Sequence, residues 1–555
     1  MKKINIIIAG CLTIGAGTLA SCGSDYLNTT PTESIGTVTA VGTAENAYKS
    51  LNGIAKTMAT QQYAYTQGCA GENRIISIYE NYASQNYLYN AYASGWSPIM
   101  NLQYSKRNNT SYASYPYNYY YNIIGQANSI IANIDNATGD ESLKNFDKAA
   151  ALTFRAYAYE KLLHYYAPRW QDSNNGAEKV LPLRIDESTG DLAPSSMADT
   201  YAQIYKDCEE ALTLFGNSSY KRTSTEVWMP DANVAHAVYA RAALTRQDYQ
   251  TALTQATAAR VNYPLMSNAE YQAGFCKPTS EWIMGSYGDA SENQWYWSYG
   301  TQFSANGYYA SNTWYGAGQM NDALSRQIPN TDVRKHLFLT PDKIGWSDDD
   351  NTVYLDYPDD PEKDAETTEA YMKAYNYIDS IHQAYTSSYT EPYLTAKPTE
   401  DNKNFWGRLI MGAQWKFFVY ATPGVGYLPF IRSSEMLLIQ AEANYFLNNG
   451  KAAQDYLMEL NATSGRDPEY TCTKTGEELL KEIQKYRQLE LWGEGFEFSD
   501  LKRWNLPLDR TSGKNVASYT KVRVEANNAN WVWATPQNET DYNHGFDNTQ
   551  DPDGK

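Results

Sequence analysis

Apolar residues recur at helical spacing over much of the chain. In residues 149–166 the intervals between apolar positions are 4, 3, 4 and 3, and the residues concerned are Leu152, Ala156, Tyr159, Leu163 and Tyr166. This spacing predicts one apolar face of a helix, which Pro168 ends. Residues 117–135, just after Pro116, have similar character. We expect these two helices to form a hairpin across the polar stretch 137–144.

Two segments further along predict pairs of helices with small residues on their facing sides. In residues 232–259, stripes rich in Ala flank the polar corner Arg246-Gln247-Asp248, and Pro264 ends the unit. Residues 431–460 repeat this arrangement around a turn at Gly450. The length of about 34 residues, the alanines and the terminal proline are typical of a tetratricopeptide-like pair. Residues 196–214 predict another helix, with Ser195 and Ser196 as candidate caps.

The chain is rich in Tyr and Trp, and many of them fall in the segments between these predicted helices. The chain has 49 Tyr and 14 Trp against 14 Phe. A core would take Phe as readily, so the excess predicts aromatic faces in partly wet places, where the OH or NH finds a partner. Residues 63–121 hold fourteen Tyr and Trp96, and residues 282–315 hold eleven aromatics. Interspersed Gly, Asn, Ser and Gln indicate loops.

Together these patterns predict a mainly α fold in one large domain. We expect a framework of tetratricopeptide-like helix pairs, with long loop-rich insertions that carry short strands. The predicted domain is 45–555, its framework is about 45–60, 117–265 and 430–505, and its insertions are about 61–116 and 266–429.

The N-terminus has the features of a secretory signal that ends in a lipid attachment site. Lys2 and Lys3 precede an apolar run of lipobox type that closes on Leu19-Ala20-Ser21-Cys22. We therefore predict a signal peptide over 1–21, acylation of Cys22 and a polar tether over 22–44. An ordinary signal with a chance cysteine is the alternative. The net charge of −18 argues against a nucleic-acid ligand.

Several blocks of this sequence resemble the SusD/RagB family of surface lipoproteins from Bacteroidota. The resemblance covers nearly the whole chain, although Asp551-Pro552-Asp553-Gly554 departs from the family's usual ending. The blocks that carry it are Cys22-Gly23-Ser24-Asp25-Tyr26-Leu27, Phe154-Arg155-Ala156-Tyr157-Ala158-Tyr159, residues 201–214, residues 431–443, residues 487–504 and Thr535-Pro536-Gln537-Asn538-Glu539.

The resemblance implies a function as well as a SusD-like fold. Such proteins sit on the outer membrane, facing the cell exterior, and act as the lid of a SusC-like TonB-dependent transporter. They capture a nutrient, most often an oligosaccharide, without catalysis. Two alternatives stay open: a peptide cargo, as in the RagB branch, and, with less support, a surface glycoside hydrolase.

A sugar ring presents one apolar face and a rim of hydroxyls, so an aromatic plane with a few amides or charges suits it. On a strand, Trp295 and Trp297 would point away from Tyr296, so burial of one side is the alternative for that cluster. The predicted ligand residues are Trp96, Trp295, Tyr296, Trp297, Trp314 and Tyr315 for the apolar face, and Asn73, Arg74, Asn101 and Asn293, beside Glu72 and Gln294, for the hydroxyls.

The remaining signals are weaker, and we predict no cofactor and no metal site. Acidic residues 348–364 are candidate Ca²⁺ ligands but lack the EF-hand register, so we interpret them as a solvated loop. The five His are scattered without a zinc motif. Cys69, Cys208, Cys276 and Cys472 are expected to be buried or singly paired. For Glu442, Glu490, Glu494 and Asp500, near Arg432, Arg487 and Arg503, we predict ion pairs between helices rather than a glycosidase site.

Overall fold

The computed structural model describes residues 40–62, 69–88, 94–287, 318–340, 354–356, 362–373, 376, 408–418 and 426–546. Helices dominate this part of the chain, and one of them includes residues 365–373. The labelled helices are α1 (Ala44–Thr57), α2 (Ser111–Asn133), α3 (Glu141–Tyr166), α4 (Met197–Asn217), α5 (Ala232–Arg246), α6 (Tyr249–Ala259), α7 (Ser433–Phe446), α8 (Gly450–Met458), α9 (Gly476–Glu490) and α10 (Glu497–Trp504).

Shorter elements fill the connections. Single helical turns occur at Gly71–Arg74, Ser97–Met100, Asn268–Tyr271, Asp322–Ser325 and Gln537–Tyr542. The described strands form five two-stranded antiparallel sheets. They pair β1 (Tyr87–Leu88) with β5 (Gln319–Met320), β2 (Lys179–Pro182) with β3 (Pro194–Ser196), β4 (Trp282–Gly285) with β8 (Pro429–Arg432), β6 (Tyr354–Asp356) with β7 (Arg408–Ile410), and β9 (Leu508–Asp509) with β10 (Arg523–Val524).

The long helices pack in a row that follows their order in the sequence. Each of α2 to α6 contacts the next helix along the chain, and α1 lies against α2 and α3. The row then continues from α6 to α7, although residues 260–432 separate these helices in the sequence. A long insertion therefore leaves the row of helices after α6 and returns at α7.

Polar side chains fix where several framework helices begin. The carboxylates of Asp140, Asp231 and Asp248 accept backbone N–H groups at the starts of α3, α5 and α6. Ser196 does the same for α4, which confirms it as a cap. These side chains satisfy N–H groups that have no partner inside the helix. Gln247 ends α5 in the left-handed conformation, at φ 67°, so that α6 can fold straight back.

Two helix starts differ from the sequence prediction. Helix α2 begins at Ser111 rather than after Pro116, because Thr110 accepts the N–H of Ala113 and caps it there. Pro116 therefore lies inside the helix. Helix α3 begins at Glu141, so the connection between the two helices is shorter than the predicted stretch 137–144.

A buried cluster of charges marks the point where the insertion rejoins the framework. Arg432, at the end of β8, donates to Glu281 beside β4, to Glu490, the last residue of α9, and to Glu494 in the turn that follows α9. Burial alone would raise the pKa of Glu490, but four surrounding cations, Arg432 among them, outweigh it and lower that pKa to about 2. The cluster therefore joins three separate parts of the chain through ionised groups.

Much of the tyrosine excess lies in the core, which corrects the expectation that these rings work in partly wet places. Many of these side chains are almost fully inaccessible, among them Tyr79, Tyr115, Tyr119, Tyr120, Tyr157, Tyr159 and Tyr165. Some of their hydroxyls have partners: Tyr115 accepts the N–H of Gly71 at 2.9 Å, and Tyr159 donates to the carbonyl of Arg184 at 2.9 Å. Abundance of tyrosine alone therefore does not locate a ligand surface here.

Candidate functional site

Three side chains from separate turns form an aromatic ledge, by which we mean Arg74, Trp96 and Tyr112. Arg74 ends the turn Gly71–Arg74, which continues as a π-helix over Ile75–Glu80. Trp96 ends a 3₁₀ turn directly before the helical turn Ser97–Met100, and Tyr112 lies in the first turn of α2. Each side chain therefore projects from the end of a helical element.

The geometry of the ledge leaves the Trp96 ring partly open to solvent. The guanidinium carbon of Arg74 lies 4.5 Å from the centre of the Trp96 ring. The ring of Tyr112 meets it edge-on, with centroids 5.1 Å apart and planes at 76°. Arg74 is buried, Trp96 is half-buried and Tyr112 is 39% exposed. The ledge therefore offers an aromatic surface, and the Arg74 guanidinium restricts the orientation of the Trp96 ring.

Two of the predicted ligand residues, Asn73 and Asn101, lie close to Arg74 and Trp96 in the sequence. Each has a side-chain oxygen that accepts no hydrogen bond from the described residues. Asn101 donates its amide to the carbonyl of Tyr519 at 3.1 Å, which fixes its side chain. The carboxamide oxygens of Asn101 and Asn73 are buried and have no hydrogen-bond partner among the described residues. A buried acceptor of this kind calls for water or a ligand group.

The predicted site residues are only partly brought together by the structure. Trp96 and Arg74 touch, and Asn73 and Asn101 adjoin them in sequence. The other predicted contacts fall outside the described residues: Asn293, Trp295, Tyr296, Trp297, Trp314 and Tyr315. Tyr112 was missed, because nothing in the sequence distinguishes it from the other tyrosines of that segment.

Glu72 does not belong to the ledge, contrary to the sequence prediction. Its side chain is fully buried and receives the hydroxyl of Tyr119 at 3.5 Å. Burial raises its pKa to about 7, and the nearby ammonium of Lys161 opposes that shift only in part. A carboxyl group so enclosed cannot reach a ligand on the surface.

The carboxylates considered for a hydrolase site are buried and paired with cations, which confirms the predicted ion pairs. Asp500 accepts from Arg487 at 2.6 Å and from Arg503 at 2.9 Å, and Arg503 also donates to Glu442. Glu494 accepts from Lys416 at 2.6 Å. These groups stabilise the packing of helices.

The described residues contain neither a metal-binding cluster nor a membrane-spanning helix. Among the described residues, no group of three or more His, Cys, Asp or Glu side chains is arranged to hold a metal ion. Most of the acidic stretch 348–364 lies outside those residues. Cys69, Cys208 and Cys276 are buried and Cys472 is half-buried. No helix within the described ranges is both long and apolar enough to cross a membrane.

The fold and ledge define a mainly α protein whose helical framework carries a partly open aromatic surface. A family model described as "SusD family" matches residues 246–550, and one described as "Starch-binding associating with outer membrane" matches residues 25–244. The chain therefore belongs to the SusD family, which confirms the predicted resemblance and SusD-like fold. No curated protein matches it.

Solved structures agree with this assignment at the level of the fold. A SusD-like carbohydrate binding protein from Bacteroides vulgatus ATCC 8482 has 20% identity and a TM-score of 0.69, covering 91% of this chain and 97% of its own. A SusD superfamily protein from Bacteroides thetaiotaomicron VPI-5482 has 21% identity and a TM-score of 0.65, with coverage of 91% and 99%. A laminarin binding SusD-like protein has 14% identity and a TM-score of 0.59, with coverage of 91% and 98%.

Proposed function

We propose that the protein is a non-catalytic, cell-surface lipoprotein that captures an oligosaccharide and delivers it to a SusC-like TonB-dependent transporter, acting as its lid. The observation that carries this proposal is the half-open Trp96 ring, held between Arg74 and the edge of Tyr112. An aromatic plane of this kind can cover the apolar face of a sugar, while amides take its hydroxyls. Family membership supports it, as do the carbohydrate-binding and laminarin-binding proteins among the structural neighbours.

The anchor and the location are part of the same proposal. Acylation of Cys22 would hold the protein at the outer membrane, since several acyl chains together anchor stably where one does not. Metabolic labelling with a fatty acid tests this, with Cys22→Ala as the variant. We expect the label on the unaltered chain alone. A label that persists on the variant would contradict the assignment of Cys22.

Binding is tested by calorimetry on the full chain in a detergent without a sugar head group. Maltohexaose and laminarihexaose are suitable first probes, given the starch and laminarin named for the family model and one neighbour. The variant replaces Trp96, Trp295, Trp297 and Trp314 with Ala together. We expect this variant to bind less glycan per chain, because the ledge no longer binds, and to keep its unfolding midpoint. Unchanged binding of the same glycan would refute the site.

Two further measurements separate the alternative functions. Mass spectrometry of cargo that co-purifies with the transporter complex should show glycan, whereas a set of peptides would favour the peptide-capturing alternative. Incubation with polysaccharide should release no new reducing ends. Release that a single carboxylate substitution abolishes would overturn the non-catalytic proposal.

A further inference from the structure

A second cleft, which contains none of the ledge residues, lies along α2. Its volume is about 1070 Å³, comparable to the clefts that hold small ligands in proteins. One wall is α2, and the facing wall is the loop 184–189 that follows β2. Residues Ala40 and Val41 and the side chains of Asn538 and Glu539 complete it.

The α2 wall is a stripe of uncharged hydrogen-bonding groups. Asn118, Asn122, Gln126 and Ser129 succeed one another at intervals of four, four and three, so they share one face of the helix. All four line the cleft and are partly exposed. The 23 residues of α2 include no Asp, Glu, Lys or Arg, in a chain that is 19% charged. Such a wall can donate and accept hydrogen bonds without favouring a charged ligand.

The facing wall is held at a fixed distance from α2 by buried groups. Asn128, on the inner side of α2, donates to the carbonyls of Arg184 and Asp186 at 3.2 and 2.9 Å. Arg155 donates to the carbonyl of Ile185 at 3.0 Å. Arg155 is itself locked by two hydrogen bonds to the buried Asp207, at 2.8 and 2.6 Å. The cleft is therefore formed before a ligand arrives, which lowers the cost of binding.

The base of the cleft is aromatic. Tyr117 is 2% exposed and packs beneath the cleft. Its ring lies 4.5 Å, centre to centre, from the half-buried ring of Tyr121. Gly53 and Gly125 also line the cleft, and a Cβ added at either would meet no atom within 4 Å. The space in front of these glycines is therefore open.

The charges at the rim disfavour an anionic ligand. Asp186, Glu187 and Glu539 contribute carboxylates, and Arg184 is the one cation among the residues that line the cleft. The guanidinium of Arg184 donates to the carbonyl of Gly190 at 3.0 Å, so this cation already has a partner within its own loop. A neutral ligand with many hydroxyls fits these groups better than a phosphate or a carboxylate.

We propose that this cleft is a second binding site for an uncharged, polyhydroxylated ligand, an oligosaccharide, separate from the ledge at Trp96. The class of ligand rests on the proposed function, while the site rests on the geometry of α2 and its facing loop. Two sites on one chain would let two short glycans be held at once. A single glycan long enough to reach both sites would bind with a higher apparent affinity, because its second contact is intramolecular.

Gly125→Trp is the decisive variant, because it fills the cleft from a helical position that has room for a side chain. Gly216→Trp is its matched control, since Gly216 lies in α4, is exposed and likewise has no neighbour within 4 Å. The full chain is titrated with maltohexaose and laminarihexaose by calorimetry, in the same detergent as above. A second variant replaces Asn118, Asn122 and Gln126 with Ala.

We expect two glycans per unaltered chain, one per chain in Gly125→Trp, and again one in Trp96→Ala. Gly216→Trp should retain both. If Gly125→Trp and the triple variant bind like the unaltered chain while Trp96→Ala loses binding, the cleft proposal is wrong and the proposed function stands. Loss of glycan binding in Gly125→Trp, together with unchanged binding in Trp96→Ala, would support the cleft site and refute the ledge site. Hydrogen exchange supplies the last outcome: if Gly125→Trp without glycan exposes another segment of this chain, that segment fills the cleft and the proposal fails.

Discussion

The guanidinium carbon of Arg74 lies 4.5 Å from the centre of the Trp96 ring, and Arg74 is only 3% exposed. A desolvated cation against an aromatic face contributes about 2 kcal/mol, more than an exposed pair. The contact therefore holds the indole in one orientation before any ligand binds. Because Trp96 stays half-buried, its remaining surface is left for a ligand.

Trp96→Ala should weaken glycan binding by at least about tenfold, which corresponds to about 1.4 kcal/mol. The reason is the loss of the aromatic plane, and the measurement is calorimetry with maltohexaose and laminarihexaose. Phe446→Ala is the control, because Phe446 is 38% exposed and stacks on Tyr249 at 4.3 Å in another aromatic pair. An equal loss of affinity in both variants would show that the effect is not specific to the ledge.

Arg74→Lys should also weaken binding, by about threefold to tenfold, although it keeps the charge. Lys lacks the planar guanidinium that stacks on a ring, so Trp96 would be held less firmly. Hydrogen exchange at residues 94–100 should increase in parallel, because the Trp96 ring is then held less firmly against its own turn. Unchanged affinity together with unchanged exchange would contradict the positioning role of Arg74.

The sequence predicted the framework better than the site, for a physical reason. The hairpin of α5 and α6 rests on local signals: alanine stripes, a polar corner and the cap Asp248. The start of α2 was misplaced because Pro116 suggests a helix start, whereas Thr110 caps the chain six residues earlier. The ledge joins residues 74, 96 and 112, which no local spacing relates. Only the packing of the intervening turns brings Tyr112 to Trp96.

The buried charges around Arg432 give a prediction for stability. Arg432→Met leaves Glu281, Glu490 and Glu494 without their shared guanidinium, so three buried carboxylates lose compensation. Removing one partner of a buried ion pair costs about 3–5 kcal/mol. We expect a loss of at least this order in the free energy of unfolding, measured with urea.

The control for that variant is Arg523→Met. Arg523 pairs with Glu525 at 2.6 Å and also with Asp509, but its side chain is 46% exposed. Exposed pairs contribute about 0–1 kcal/mol, so the urea midpoint should hardly move. If Arg432→Met shifted the midpoint no more than Arg523→Met, the buried cluster would not join the insertion to the framework as described.

The buried carboxyl group of Asp147 makes the free energy of unfolding depend on pH. Its side chain lies buried in the second turn of α3, and neither carboxylate oxygen has a hydrogen-bond partner among the described residues. Burial, reinforced by the nearby carboxylate of Glu45, raises its pKa from 3.8 to about 8. The folded chain therefore keeps a proton that the unfolded chain releases. This contribution to folding is fully present below about pH 4 and is lost as the pH rises toward about 8.

Asp147→Asn should flatten this dependence, because the amide has nearly the same shape and does not titrate. We expect the free energy of unfolding to fall less between about pH 4 and 8 in the variant, which should be the more stable form at pH 8. Glu72, whose pKa is raised to about 7, still titrates, so some slope remains. Asp140→Asn is the matched control on the same helix, since Asn caps as well as Asp. Parallel pH profiles for Asp147→Asn and the unaltered chain would show that Asp147 is ionised when folded.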